Sequence, residues 1–216
     1  RAGLPFCAGC GHHHCVRGLD EALVMLDLDP SRIVIVSDVG CIGVLDSAFP
    51  SVHTVHTVHG RSVAVATGIE LADAILHDSM VKTIVVVGDA GTMVSLPHVI
   101  NAARLNVDVT VLVANNFLLG ATGGQISSFA PQGFTTLADP AGSPVPPLDL
   151  CSIIQACGCG FVARVAATDP SLSDIIMRAI AHPGFALVEI IEVCTGWATA
   201  AAQWDEKTLS ALLERE

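Results

Sequence analysis

Two short apolar runs, residues 84–87 (IVVV) and 109–113 (VTVLV), flank a helical stretch, and this confines the chain to few folds. Neither run is long enough for a helix. Strands this apolar, with almost no polar alternation, are buried on both faces, as in a parallel sheet covered by helices. Between them, the spacing over 96–105 places Val99, Ala102 and Ala103 on one helical face. The unit reads as strand, crossover helix, strand. Runs at 33–37, 161–165 and 186–191 predict further strands, and helices are predicted over 16–27, 63–74, 148–157 and 171–182. This alternation predicts an α/β fold: doubly wound, with a mostly parallel sheet and helices on both faces. At 216 residues, one domain is expected over 1–216. Within it, 126–149 is rich in Ser, Pro, Gly and Thr and reads as a lid or interface loop, and 198–216 as a polar C-terminal tail.

Open α/β sheets bind ligands just past strand C-termini. Two polar clusters fall there, Gly88-Asp89-Ala90-Gly91 and Asn115-Asn116. Asp89 offers a hard carboxylate oxygen and Asn116 a neutral amide oxygen. Small residues at 90 and 91 let backbone N–H groups approach a phosphate. Magnesium prefers oxygen ligands and is held through one or two carboxylates plus substrate phosphates, so the pair suits a metal diphosphate. Both clusters are also ordinary turn formers. The strand end at 38–43 carries Cys41, and Cys194 follows the last strand.

The eight cysteines point to metal or redox chemistry more than to disulfides. Cys7 and Cys10 have the spacing of a metal or redox pair, and His12 to His14 keep a Cys2His2 zinc site formally open. No second closely spaced ligand pair accompanies them. His53, His56 and His59 recur every third residue, which matches neither a strand face nor a helical metal pair, and the stretch reads as a polar loop before a helix. Thr122 and Gln125, in a Gly-rich segment, could hold polar oxygens or simply form a loop. The net charge of −11 and only 10 basic residues argue against nucleic acid as a partner. Hydrophobic residues make up 51% and charged residues 14%, so partner subunits are expected to cover much of the surface. No run reaches the length of a membrane span, and no secretory signal pattern opens the chain, so no membrane association and a cytoplasmic location are expected.

The stretch GDAG followed at 115–116 by a paired Asn resembles the thiamine diphosphate motif. Its flank NNFLLGATGGQ is similar to the NNxxYGxTGGQ signature of 2-oxoacid:ferredoxin oxidoreductase β subunits. HTVHGR, the run ATGIELA, FCAGCGH near the start and CTGW at 194–197 resemble that family's other motifs, in the same order. The resemblance spans about residues 6–205.

It implies a subunit that binds thiamine diphosphate, Mg2+ and a 4Fe-4S cluster. The implied reaction is the coenzyme A-dependent oxidative decarboxylation of a 2-oxoacid to acyl-CoA and carbon dioxide, with electrons passing to ferredoxin or a ferredoxin-like subunit. Asp89, Asn116 and the backbone of Leu118 would hold the metal. Gly40, Cys41, Ile42, His59, Gly88, Ala90, Gly91, Leu119, Gly120, Ala121 and Thr122 would meet the cofactor, with Arg61 beside it. His59 and Arg61 are the candidate catalytic residues. Cys7, Cys10, Cys41 and Cys194 would hold the cluster, leaving Cys15, Cys151, Cys157 and Cys159 aside. The activating Glu would come from a partner subunit of α or γ type. Departures from the pattern are Ala90 for the second glycine, which requires a negative φ, Leu119 for the expected Tyr, and a missing Pro in both cysteine motifs. The rival readings are a non-oxidative thiamine diphosphate decarboxylase or synthase subunit, and a zinc-binding structural subunit.

Overall fold

The computed structural model describes residues 3–198. Strands β1 (Ile33–Ser37), β2 (His53–His56), β3 (Lys82–Gly88), β4 (Val109–Asn115), β7 (Phe161–Ala166) and β8 (Ala186–Ile191) form one sheet in the order β2-β1-β3-β4-β8-β7. Every neighbouring pair in it is parallel. A small antiparallel hairpin, β5 (Leu118–Leu119) with β6 (Gln125–Ile126), stands apart. Helices α1 (His12–Leu26) and α5 (Leu172–Ala181) cover one face of the sheet. Helices α2 (Ser62–His77), α3 (Asp89–Leu105) and α4 (Leu150–Ala156) cover the other.

Strand alternation explains the two layers. Ile33, Ile35, Ile84, Val86, Leu112 and Ala114 face α1 and α5, packing with Leu19, Leu23 and Ile176. Their sequence neighbours Val34, Val36, Val85, Val87, Val111 and Val113 point the other way, against Val63, Ala66, Val99 and Ile154. Both faces of the central strands are therefore dry, as the unbroken apolar runs require.

Three differences from the sequence expectations matter for the site. The stretch 53–56, expected in a polar loop, forms edge strand β2, paired in parallel with β1. Its side chains are mostly exposed, so the strand is held by backbone pairing and carries no hydrophobic pattern to read. Helix α1 begins at His12, before the predicted 16. Helix α3 begins at Asp89 and not at 96, with Gly88 in extended conformation (φ −78°, ψ 169°) as its N-cap and Pro97 inside it. Gly, Asp and Pro weaken helix propensity, and packing against the sheet overrides it. Asp89 is thus the first residue of a helix, not the middle of a turn. The predicted tail over 198–216 lies outside the described residues apart from Ala198, which is buried.

The turn after β1 is built tightly enough to be tested. A Cβ at Gly43 would lie 2.1 Å from the carbonyl oxygen of Asp38 and 3.0 Å from His56 Cε1. The first contact is backbone and cannot move aside. Gly43→Ala is expected to cost about 2–3 kcal/mol and to lower the melting temperature by roughly 5–10 °C, measured by thermal denaturation.

Candidate functional site

From β1 the chain passes to β2 on one side and then to β3 on the other. Such a reversal opens a crevice at the strand C-termini. A cavity of about 200 Å³ lies there. Gly40, Cys41 and Ile42 reach it from the turn after β1, and Gly88, Asp89, Ala90 and Gly91 from the β3–α3 junction. Asn116 reaches it past β4, Leu119, Gly120, Ala121 and Thr122 from the hairpin, and His59 from the turn before α2. His12, Val39 and Ala114 also line it. Leu118 is buried alongside, in a cluster with Phe117 and Phe134. Arg61 is exposed, and its guanidinium donates to the Gly60 carbonyl at 2.9 Å, away from the lining.

Asp89 is 4% exposed. Its Oδ1 accepts from the Ala90 N–H at 2.8 Å, while Oδ2 has no hydrogen-bond partner. Burial pushes the carboxyl up to about 7, partly offset by the nearby Ser127 hydroxyl and the Ala90 N–H. Ser127 favours the anion by proximity without satisfying Oδ2. A buried carboxylate with one empty oxygen is costly by itself and suits a cation. Ala90 has a negative φ, meeting the condition set by its replacement of glycine.

The Asn pair divides its work. Asn115 is structural: its Nδ2 donates to Glu189 Oε1 at 2.7 Å, and its Oδ1 accepts from the Phe117 N–H at 3.0 Å. Glu189 in turn accepts from Arg164 Nε at 2.8 Å. This buried relay holds Phe117 at φ +68°, a left-handed conformation that a bulky residue adopts only when its surroundings impose it. The bend leaves Asn116 at the cavity wall, where its Oδ1 accepts from the Leu118 N–H at 3.3 Å.

The cysteine segments converge beside the cavity. The loop at 7–10 docks on the end of β8: Gly11 N–H donates to the Val193 carbonyl at 3.0 Å, and Thr195 Oγ1 to the Ala8 carbonyl at 2.9 Å. Gly11 permits this approach, since a Cβ there would lie 2.6 Å from Glu192 Cβ. Burial pushes the Cys10 thiol up to about 12, and Glu192, Cys194 and Cys7 add to it. Cys41 is also raised by burial, with Cys194 and Cys7 contributing. Cys7 and Cys194 thus lie near enough to act on both Cys10 and Cys41. Among the described residues no group of three or more His, Cys, Asp or Glu is close enough to hold a single metal ion. Trp197 closes this side; a Cβ at Gly124 would lie 2.7 Å from its indole, so the second glycine of TGGQ and the tryptophan of CTGW fit each other. Of the set-aside cysteines, Cys15 is buried in α1, and Cys151 donates to the Ala163 carbonyl and Glu189.

Two residues at the site escaped the sequence reading. Asp38, fully buried at the end of β1, accepts from His59 Nδ1, Gly60 N–H and the Ser62 backbone and hydroxyl. Glu192 pairs with His12 Nδ1, burying an ion pair between cavity and cysteines. Burial opposes His12 protonation, yet Glu192 leaves it raised overall. The available signal for Asp38 was its place directly after a buried strand, the same place that marked Asp89.

Residues 38–190 match the family model of the thiamine pyrophosphate enzyme C-terminal TPP binding domain. The 2-oxoglutarate synthase subunit KorB of Methanothermobacter marburgensis is 34% identical over 90% of this chain and 67% of its own length. The 2-oxoacid:ferredoxin oxidoreductase subunit beta of Saccharolobus solfataricus is 35% identical over 88% of this chain and 61% of its own. A solved 2-oxoglutarate:ferredoxin oxidoreductase from Magnetococcus marinus, with 2-oxoglutarate, coenzyme A and succinyl-CoA bound, superposes with a TM-score of 0.79 at 30% identity, over 90% of this chain and 65% of that one. The chain therefore spans about two thirds of the length of these relatives. With about a third of its residues identical to these relatives over some 90% of its length, and a thiamine pyrophosphate-binding family match over 38–190, the chain belongs to the β-subunit family of the 2-oxoacid:ferredoxin oxidoreductases.

Proposed function

We propose that this chain binds magnesium thiamine diphosphate and a 4Fe-4S cluster within a complex that oxidatively decarboxylates a 2-oxoacid to acyl-CoA, passing electrons to ferredoxin or a ferredoxin-like subunit. The observation that carries it is the unpartnered Oδ2 of buried Asp89 in a cavity shared with Asn116. These are the oxygens a magnesium diphosphate takes. Asp89 opens helix α3, whose first-turn residues Ala90 and Gly91 line the same cavity, and a helix N-terminus favours phosphate oxygens. Ile42, 1% exposed, gives the cavity a rigid apolar wall for an aromatic ring. Thiamine diphosphate supplies a nucleophilic carbon for decarboxylation.

The cysteines favour the oxidative reading over a non-oxidative thiamine enzyme. Raised thiols packed near one another are unstable as thiolates unless a positive centre holds them. An iron–sulfur cluster spaces its four ligands around a cubane and so asks for a wider set than a single ion. Among the described residues no Glu lines the cavity, which supports a partner subunit supplying the activating carboxylate.

A pH dependence follows from Asp89. Its carboxyl protonates near 7 in the metal-free chain because burial disfavours the anion. Metal binding must displace that proton. Magnesium-dependent cofactor affinity is expected to fall about tenfold per unit below pH 7 and to level off above it, measured by calorimetric titration across that range.

The reading is tested by co-expressing the chain with its partner subunits and purifying anaerobically. Viologen reduction that requires both a 2-oxoacid and coenzyme A supports it. Cofactor-loaded complex that releases carbon dioxide without reducing viologen would point to the non-oxidative reading.

A further inference from the structure

The turn 59–62 is folded around one carboxylate. Asp38 Oδ1 accepts from His59 Nδ1 at 2.9 Å, and Oδ2 accepts from Gly60 N–H at 3.0 Å and Ser62 Oγ at 2.9 Å. Asp38 is fully buried, whereas the His59 side chain is 40% exposed and lines the cavity. The clasp has no slack. Gly60 holds φ +72°, and a Cβ there would lie 2.3 Å from Val94 Cγ1 on α3. A Cβ at Gly91 would come within 3.0 Å of Asp38 Oδ1 itself.

We infer that Asp38 is a positioning residue that fixes the His59 ring with Nδ1 turned inward, so that Nε2 is presented to an anionic oxygen bound in the cavity. This rests on the proposed function for the identity of that anion. A carboxylate bonded to one imidazole nitrogen sets the tautomer and the direction of the other. The competing groups are engaged elsewhere. His12 is paired with Glu192, His56 with Ser37 and Asp46, and Arg61 with the Gly60 carbonyl. Asp89 and Cys41 face the same cavity as anionic or neutral groups and repel or ignore an anion. His59 Nε2 is thus the imidazole nitrogen left to meet a negatively charged oxygen bound in the cavity. The oxygen belongs either to the cofactor diphosphate or to the 2-oxoacid carboxylate, and the two arms of the experiment separate them.

The test uses the assembled, cofactor-loaded complex with His59→Gln, Asp38→Asn and the double variant. Thiamine diphosphate affinity is one arm, and kcat and KM for the 2-oxoacid are the other. His59→Gln is expected to lose about 10- to 100-fold on one arm, the size of one charge-assisted hydrogen bond. A fall in cofactor affinity assigns the diphosphate, and a rise in KM assigns the substrate carboxylate. Asp38→Asn should lose on the same arm, and the double variant should be no worse than the more impaired single, because both changes break one interaction. A purely structural Asp38 would instead give additive losses and a kcat and KM pattern unlike that of His59→Gln, which overturns the inference. His59→Gln within twofold of wild type on both arms also overturns it, and this exposed substitution remains decisive if Asp38→Asn fails to assemble. A wild-type complex that binds no thiamine diphosphate defeats the underlying functional reading instead.

Discussion

Asp89→Ala is expected to weaken magnesium-dependent binding of thiamine diphosphate by about 1,000-fold, roughly 4 kcal/mol, and to remove 2-oxoacid-dependent activity at ordinary cofactor concentrations. The same substitution should stabilise the chain without its cofactor. Asp89 is buried with Oδ2 unsatisfied, and burial has already driven its carboxyl up to about 7. At pH 8 the folded metal-free chain carries an anion with no counter-charge bonded to it, a cost of about 1–3 kcal/mol for an unsatisfied buried group. The sign follows from linkage. A folded pKa above the unfolded value means the folded state binds the extra proton, so this group's stabilisation is full below about 4 and is lost as pH rises through 7. Removing it should therefore raise the melting temperature of the metal-free chain at pH 8 by a few degrees, a gain that shrinks or reverses towards pH 4. Lost binding with gained stability separates a ligand position from a structural one. A structural carboxylate would lose both together.

Cys10→Ser is the second large effect. Iron content should fall from about four atoms per chain to near zero, with the visible absorbance lost and viologen reduction down more than about 100-fold. Thiamine diphosphate affinity should stay within about threefold, since Cys10 does not line the cavity. Cys151→Ser is the contrast. Its thiol is raised by burial and by Glu189, and it sits on α4 facing Ala163 of β7 and Glu189 of β8, outside the cavity lining. It should keep its iron. If Cys10→Ser keeps iron and colour as well, the cluster assignment fails while the thiamine site stands, and the non-oxidative reading gains.

How far the sequence reached depended on what each residue's neighbours along the chain could reveal. The double winding was legible because buried parallel strands leave unbroken apolar runs, and 84–87 and 109–113 fall inside β3 and β4. The meeting of Asp89, Asn116 and Cys41 at one cavity was legible because each stands past the end of such a run, where ligands gather in this architecture. Edge strand β2 was not. Its residues are exposed, and it exists through pairing with β1, which no local pattern encodes. The early start of α3 was hidden by Gly88, Asp89, Gly91 and Pro97, all poor helix formers that the sheet accommodates. Long-range partners were out of reach altogether. His12 and Glu192 are separated by 180 positions, and Asp38 and His59 by 21, so their pairing is a property of the folded chain alone. The Asn115 relay to Glu189 and Arg164 is of the same kind: the sequence shows two adjacent asparagines, and only the fold tells the scaffold from the site.

One ion shared by Asp89 and Asn116 beneath a diphosphate is tested most directly by crystallography of the complex loaded with Mn2+ and thiamine diphosphate. The anomalous signal of manganese should fall in the cavity, with carboxylate and amide oxygens of residues 89 and 116 each about 2.0–2.2 Å from it. A manganese peak elsewhere, or a diphosphate bound clear of both side chains, would contradict it.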